Sequence, residues 1–275
     1  MIIDSHQHFW KYNPETHSWI DDNMANIRTN FLPNDLEVVY QDNAIDACVA
    51  VQADQTLEET NFLLDLAYKN PFIKGVVGWV DLRALDVEEQ LHYLRRHDKL
   101  KGFRHIVQGE TDPEFMLRPA FLNGISKLEQ FNFTYDILIF AHQLDMTLKF
   151  VEKFPNQKFF VYHIAKPDIK NNKFEDWAKK LTALSKFENV HCKLSGIITE
   201  ADYKTWTKEQ VRPYIETALN AFGPNRCMFG SDWPVCLVAG SYKRVKKLIT
   251  EAIAYLNEVD QVKIMGNNTA EFYNL

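Results

Sequence analysis

The chain has 275 residues, 46% of them hydrophobic and 13% aromatic, with only 10 Gly and 10 Pro. That composition supports a large buried core and excludes a disordered or linker-rich chain. A formal net charge of -6 excludes an electrostatic case for nucleic acid or an anionic membrane as partner.

Short apolar, β-branched or aromatic runs alternate with longer helical patterns along the whole sequence, which is the signature of repeated βα units and a parallel sheet. In chain order the strands are expected at Ile2 to Asp4, Ile45 to Val51, Ile73 to Val80, Leu100 to Ile106, Phe133 to Ile139, Lys158 to His163, Val190 to Leu194 and Cys227 to Ser231. Eight strands in 275 residues fit a single (β/α)8 TIM barrel spanning 1–275, with its active site at the C-terminal rim of the strands. The connection from Phe9 to Leu32 is long for a βα loop and carries Trp10, Tyr12, His17 and Trp19, so it is expected to cover the site. Thr56, with Glu59 three residues on, opens a helix as a capping box. Pro113 precedes a helix over Glu114 to Gln130, and Pro213 suggests a kink or late start in Lys208 to Phe222.

No run reaches the roughly 18 apolar residues of a membrane span, and no basic segment with an apolar core opens the chain. Cys48, Cys192, Cys227 and Cys236 form no C-x-x-C pair and read as reduced thiols, with Cys236 on a loop. A cytoplasmic protein is expected.

The chemistry is concentrated where strands end. His6 and His8 stand two apart, so on a strand both rings point to one face and can converge on one ion or reacting group. His163 ends the sixth run, and Asp232 follows the eighth within Gly230-Ser-Asp-Trp-Pro234. Asp4, Gln52, Asp54, Trp79, Asp81, Arg104, His105, Asp136, His142, Lys166 and Ser195 also end or follow strands, on the same expected rim. Ligand-type residues recurring at one rim point to a shared site rather than to accidents of burial. His17, His92, His97 and His191 lie off those positions and read as structural. No G-x-S-x-G elbow, phosphate-binding loop or dinucleotide fingerprint occurs.

Asp4-Ser-His-Gln-His-Phe-Trp10, Lys101-Gly-Phe-Arg-His105, His163-Ile-Ala-Lys-Pro167, Lys193-Leu-Ser-Gly196, Phe229-Gly-Ser-Asp-Trp-Pro-Val235 and Gly266-Asn-Asn-Thr-Ala270 together resemble the amidohydrolase superfamily, of amidohydrolase 2 type, in its sugar-lactonase branch. Tyr162 stands where that pattern has an acidic residue, and Ala165 where it has Gly. The resemblance implies hydrolysis of an aldonolactone to the free sugar acid, with His6, His8, His163 and Asp232 as catalytic residues. Asp232 would move the proton between water and the leaving oxygen. The same four side chains would hold one divalent ion, Zn²⁺ by donor type, although metal-free catalysis is an equal expectation. Arg104, His105, Trp10, Trp79, Trp233 and His142 are expected to contact substrate. No Lys ends the fourth strand, which argues against a two-metal centre. The competing reading is a metal-dependent decarboxylase of an aromatic or unsaturated acid. The partner is a small sugar lactone, with neither nucleic acid nor membrane, and a homodimer is admitted.

Overall fold

Each expected strand run pairs in parallel with the next, so that chain order and spatial order coincide. The computed structural model describes residues 1–275 and contains β1 (Ile3–Gln7), β2 (Ala47–Val51), β3 (Ile73–Gly78), β4 (Leu100–His105), β5 (Thr134–Ile137), β6 (Phe159–Val161), β7 (Val190–Leu194) and β8 (Cys227–Phe229) in one eight-stranded sheet. The ring closes just beyond β8. Asp232 N donates to His6 O at 2.9 Å and His8 N to Trp233 O at 2.7 Å, and Gln7 bridges Trp233 in parallel. The fold is a (β/α)8 barrel, as the strand count implied.

Alternation along each strand divides the interior from the outer core. Val49, Val51, Val77, Phe160, Tyr162 and Met228 point into the barrel. Cys48, Ala50, Tyr135, Ile137, Phe159, Val161, Cys192, Leu194, Cys227 and Phe229 pack against the surrounding helices. Those helices are α1 (Pro33–Asn43), α2 (Leu57–Lys69), α3 (Val87–Leu94), α4 (Pro119–Leu128), α5 (Leu144–Val151), α6 (Glu175–Leu184), α7 (Lys208–Phe222) and α8 (Tyr242–Ala252), followed by α9 (Glu258–Val262) and α10 (Asn268–Tyr273). Thr56 caps α2 by accepting from Glu59 N at 3.1 Å. All four cysteines are free and buried. No helix is long and apolar enough to cross a membrane.

Several local expectations change. The run after Pro113 first makes a short turn, Phe115–Leu117, and α4 begins at Pro119, where the missing N–H of proline costs no helical hydrogen bond. Pro213 lies inside α7, which starts at Lys208. β6 stops at Val161 because His163, Ile164, Ala165 and Lys166 all take positive φ, turning the chain sharply at the rim. Cys236 sits in a buried turn, where burial pushes its thiol well above the usual range, so no thiolate forms there. β1 continues to Gln7 and carries a one-residue slip between Asp4 and Gln7 in its pairing with β2. The bulge re-aims the side chains around it. Asp4 therefore leaves the rim and faces the helices, accepting from Tyr40 at 3.1 Å, Tyr242 at 3.0 Å and Ser231 N at 2.8 Å.

α10 packs under the N-terminal end of the barrel, with Phe272 and Tyr273 among the interior side chains. The helical turn leading to it brings Gly266 so close to the first strand that an added Cβ would meet Met1 O at 2.1 Å. Gly266→Ala is expected to lower stability by about 1–3 kcal/mol through overpacking against backbone, read as a lower urea midpoint with an unchanged slope.

Candidate active site

The carbonyl and amide bonds that close the barrel also bring His6, His8 and Asp232 together at its mouth. Asp232 Oδ1 lies 3.3 Å from His6 Nε2, 3.5 Å from His8 Nε2 and 3.9 Å from His163 Nε2. The two Nε2 atoms of His6 and His8 are themselves 3.0 Å apart. All four side chains are buried. His163 reaches the group from the left-handed turn after β6, and Gly196, at φ 58°, leaves the room it needs: a Cβ there would meet His163 Nδ1 at 2.2 Å.

Burial pushes His6 and His8 below their usual imidazole values and His163 to about 3. Burial alone would raise Asp232, but on acidification the imidazoles take up a proton ahead of the carboxylate, and the resulting charge on His163 with the hydrogen bonds of protonated His6 and His8 holds the carboxyl well below the ordinary range. The site thus pairs an ionised carboxylate with neutral imidazoles, the form in which histidine binds metal.

The outward nitrogens support the same reading. His8 Nδ1 donates to Val51 O at 2.8 Å, which leaves Nε2 with its lone pair directed inward. His163 Nδ1 is 2.9 Å from Ser195 Oγ. A backbone or hydroxyl partner on the outer nitrogen is the arrangement that orients metal-binding histidines. His6, His8 and Asp232 have ligand atoms within 4.8 Å of one another and could hold an ion. His163 adds a fourth donor at the slightly longer distance given above. Imidazole and carboxylate donors in this number suit Zn²⁺.

Of the expected substrate contacts, the structure brings Arg104 beside this cluster, and Trp10 approaches it with its ring 6.3 Å from that of His8. The Arg104 side chain points into the barrel, with the guanidinium 5.1 Å from the Tyr162 ring. Nη2 donates to Gln52 O and, at 2.9 Å, to Gln52 Oε1, and Gln52 Nε2 returns a bond to Arg104 O at 3.1 Å. His105 points the other way. It stacks on Phe115 at 4.7 Å, pairs with Glu110 at 2.6 Å and is buried. Trp10 is buried in the first loop, donating to Thr29 O at 2.8 Å and packing on Phe31 and Trp19. Trp233 fills the space between Phe9 and Phe31. These two indoles anchor the loop instead of offering it a free face. Trp79 is partly exposed, with Nε1 3.5 Å from His105 Nδ1. His142 is exposed on the turn after β5 and stacks on Phe140 at 5.9 Å. Lys166 pairs with Glu200 at 3.2 Å.

Sequence reasoning placed Asp136 on the rim, whereas it belongs to a fully buried layer beneath the histidines that was otherwise missed. Lys193 Nζ, fully buried, donates to Ser5 O at 2.8 Å and lies 3.7 Å from Asp136 Oδ2. Asp136 accepts from Tyr162 at 2.5 Å and from Tyr273. A Lys between Cys192 and Leu194 in a strand run was the available signal for an inward-facing charge. Tyr273 gave none.

An H-x-H strand, a histidine just past the sixth strand and an aspartate just past the eighth meet on one barrel rim and form a donor set that could hold an ion. Residues 3–275 match the amidohydrolase family, and the chain belongs to it. It is 37% identical to an L-fucono-1,5-lactonase of Burkholderia multivorans, over 99% of this chain and 96% of that one. An L-fucono-1,5-lactonase of Burkholderia ambifaria is 31% identical over 99% and 95%. A crystal structure of a Burkholderia multivorans amidohydrolase with bound zinc superposes with a TM-score of 0.96 at 36% identity, covering 100% of this chain and 99% of that one.

Burial pushes Lys193 down to about 7, whereas an unfolded lysine titrates near about 10.4. Between those values the unfolded chain binds the extra proton, so this residue's contribution to stability rises with pH. Urea melts at successive pH values across that window should show the wild type gaining stability relative to Lys193→Met, and a constant difference would contradict the shift.

Proposed function

We propose that this protein hydrolyses a sugar lactone, a neutral or deoxy aldonolactone, to the free sugar acid. The observation that carries the reading is Asp232, an ionised carboxylate ringed by three imidazole nitrogens at 3.3, 3.5 and 3.9 Å. The similarity to two named lactonases over nearly the whole chain supports the substrate class.

Asp232 accepts a proton from water as the water oxygen adds to the lactone carbonyl. The Arg104 guanidinium has no carboxylate within ion-pairing distance; its assigned bonds all go to Gln52. It is therefore suited to donate to the carbonyl oxygen as negative charge develops there. When the ring C–O bond breaks, Asp232 returns its proton to the departing alkoxide and is ionised again. The new carboxylic acid then loses a proton to solvent, which gives the assay its signal. His8 and His163 are held by Val51 O and Ser195 and keep the carboxylate in place. A divalent ion, Zn²⁺ by donor type, would be held by His6, His8, His163 and Asp232 and supplies Lewis-acid polarisation when bound. A single arginine beside the cluster suits a neutral sugar better than a dicarboxylate, which would favour several.

Proton release should be measured on a panel of aldonolactones, with spontaneous hydrolysis subtracted. Wild type is expected to turn over at least one, and Asp232→Asn to lose about 100- to 10,000-fold in kcat with its fold intact. An active Asp232→Asn variant would remove the proton-transfer role. Activity lost to a chelator and restored by Zn²⁺ assigns the metal to catalysis, whereas full activity in chelator assigns the chemistry to Asp232 and Arg104. Release of CO₂ from an aromatic acid, with no lactone consumed, would replace hydrolysis by decarboxylation.

A further inference from the structure

His8 and His163 are each oriented by a hydrogen bond from the outer ring nitrogen, but His6 Nδ1 is buried and has no partner. Apart from the inner contacts of Nε2 with Asp232 and His8, the His6 ring is held by packing. Tyr162 packs edge-on against it, with centroids 4.4 Å apart and planes at 69°, and no other aromatic ring outside the histidine cluster approaches it as closely. The rotation of Tyr162 is in turn set from below. Its hydroxyl donates to Asp136 Oδ2 at 2.5 Å, and that same oxygen accepts from Tyr273. Lys193 Nζ lies 3.8 Å from the Tyr162 ring and 3.3 Å from Tyr273 O, and it holds the carbonyl of Ser5, the residue before His6, at 2.8 Å. Asp136, Tyr162 and Lys193 are fully buried, and Tyr273 is nearly so.

We propose that Tyr162 is the positioning residue for His6, and that Asp136, Tyr273 and Lys193 form a buried polar base that locks Tyr162 in place. His6 is thereby oriented through packing and a relayed hydrogen bond, where its two neighbours are oriented directly. Tyr273 makes the closing helix α10, which lies at the opposite end of the barrel from the rim, part of the site's support.

The kinetic half of the test rests on the lactonase reading. Tyr162→Phe and Tyr273→Phe each remove one hydroxyl and leave the ring. Tyr162→Phe is expected to lower kcat by about 10- to 100-fold, the range typical when an outer partner of a metal-binding histidine is lost, with KM unchanged. Tyr273→Phe should act in the same direction and less strongly. Zn²⁺ affinity of the metal-free protein, measured by titration calorimetry, should fall in parallel. In ¹⁵N-histidine spectra, the His6 resonances should move or broaden in both variants while those of His8 and His163 stay in place. Unchanged kcat and an unchanged His6 signal in a folded Tyr162→Phe variant would overturn the proposal. So would equal shifts of all three histidines, which indicate general loosening. If Tyr162→Phe does not fold, Tyr273→Phe decides by the same criteria. If the wild type hydrolyses no lactone, the functional reading fails by itself, and the His6 resonances and Zn²⁺ affinity still decide the positioning.

Discussion

The site depends on closure of the barrel between its first and last strands. Backbone bonds from Asp232 N to His6 O and from His8 N to Trp233 O are the same bonds that complete the ring, so the geometry of the candidate site and the closure of the fold go together. The bulge in β1 adds the remaining condition. Without its one-residue slip, Asp4 and His6 would share a face by strand alternation. With the slip, Asp4 anchors Ser231 and two tyrosine hydroxyls from outside, and His6 turns inward.

Much of this was legible in the sequence, because it follows from period and position. Eight apolar runs gave the barrel, and ligand-type side chains at strand ends gave His6, His8, His163 and Asp232. What stayed hidden depended on registers between distant segments. The bulge that reverses Asp4 leaves no local mark. His105 was read as a rim donor from its place at the end of β4, yet alternation from Arg104 sends it outward onto Phe115. Trp10 and Trp233 looked like sugar-binding faces, but an indole's large area is equally useful for burying a loop, and both rings are buried.

The layer below the histidines buries charge in the barrel interior. A lysine and an aspartate 3.7 Å apart, both fully removed from water, are a poor source of stability unless hydrogen bonds satisfy them. Tyr162, Tyr273 and the Ser5 carbonyl supply those bonds. The apolar side chains Val49, Val51, Val77, Phe160 and Met228 surround them inside the barrel, strengthening each interaction by excluding solvent.

Closure through β1 and β8 also sets when the candidate site can form. Parallel strands are joined by long crossovers, which makes their pairing non-local, and β8 is the last strand in the order of the sheet. Until it docks, β1 is an open edge bearing two histidines with no carboxylate opposite them. Partly assembled barrels consequently have no graded fraction of the site. The candidate site is complete only when β1 and β8 are paired, so its integrity depends on closure of the whole ring.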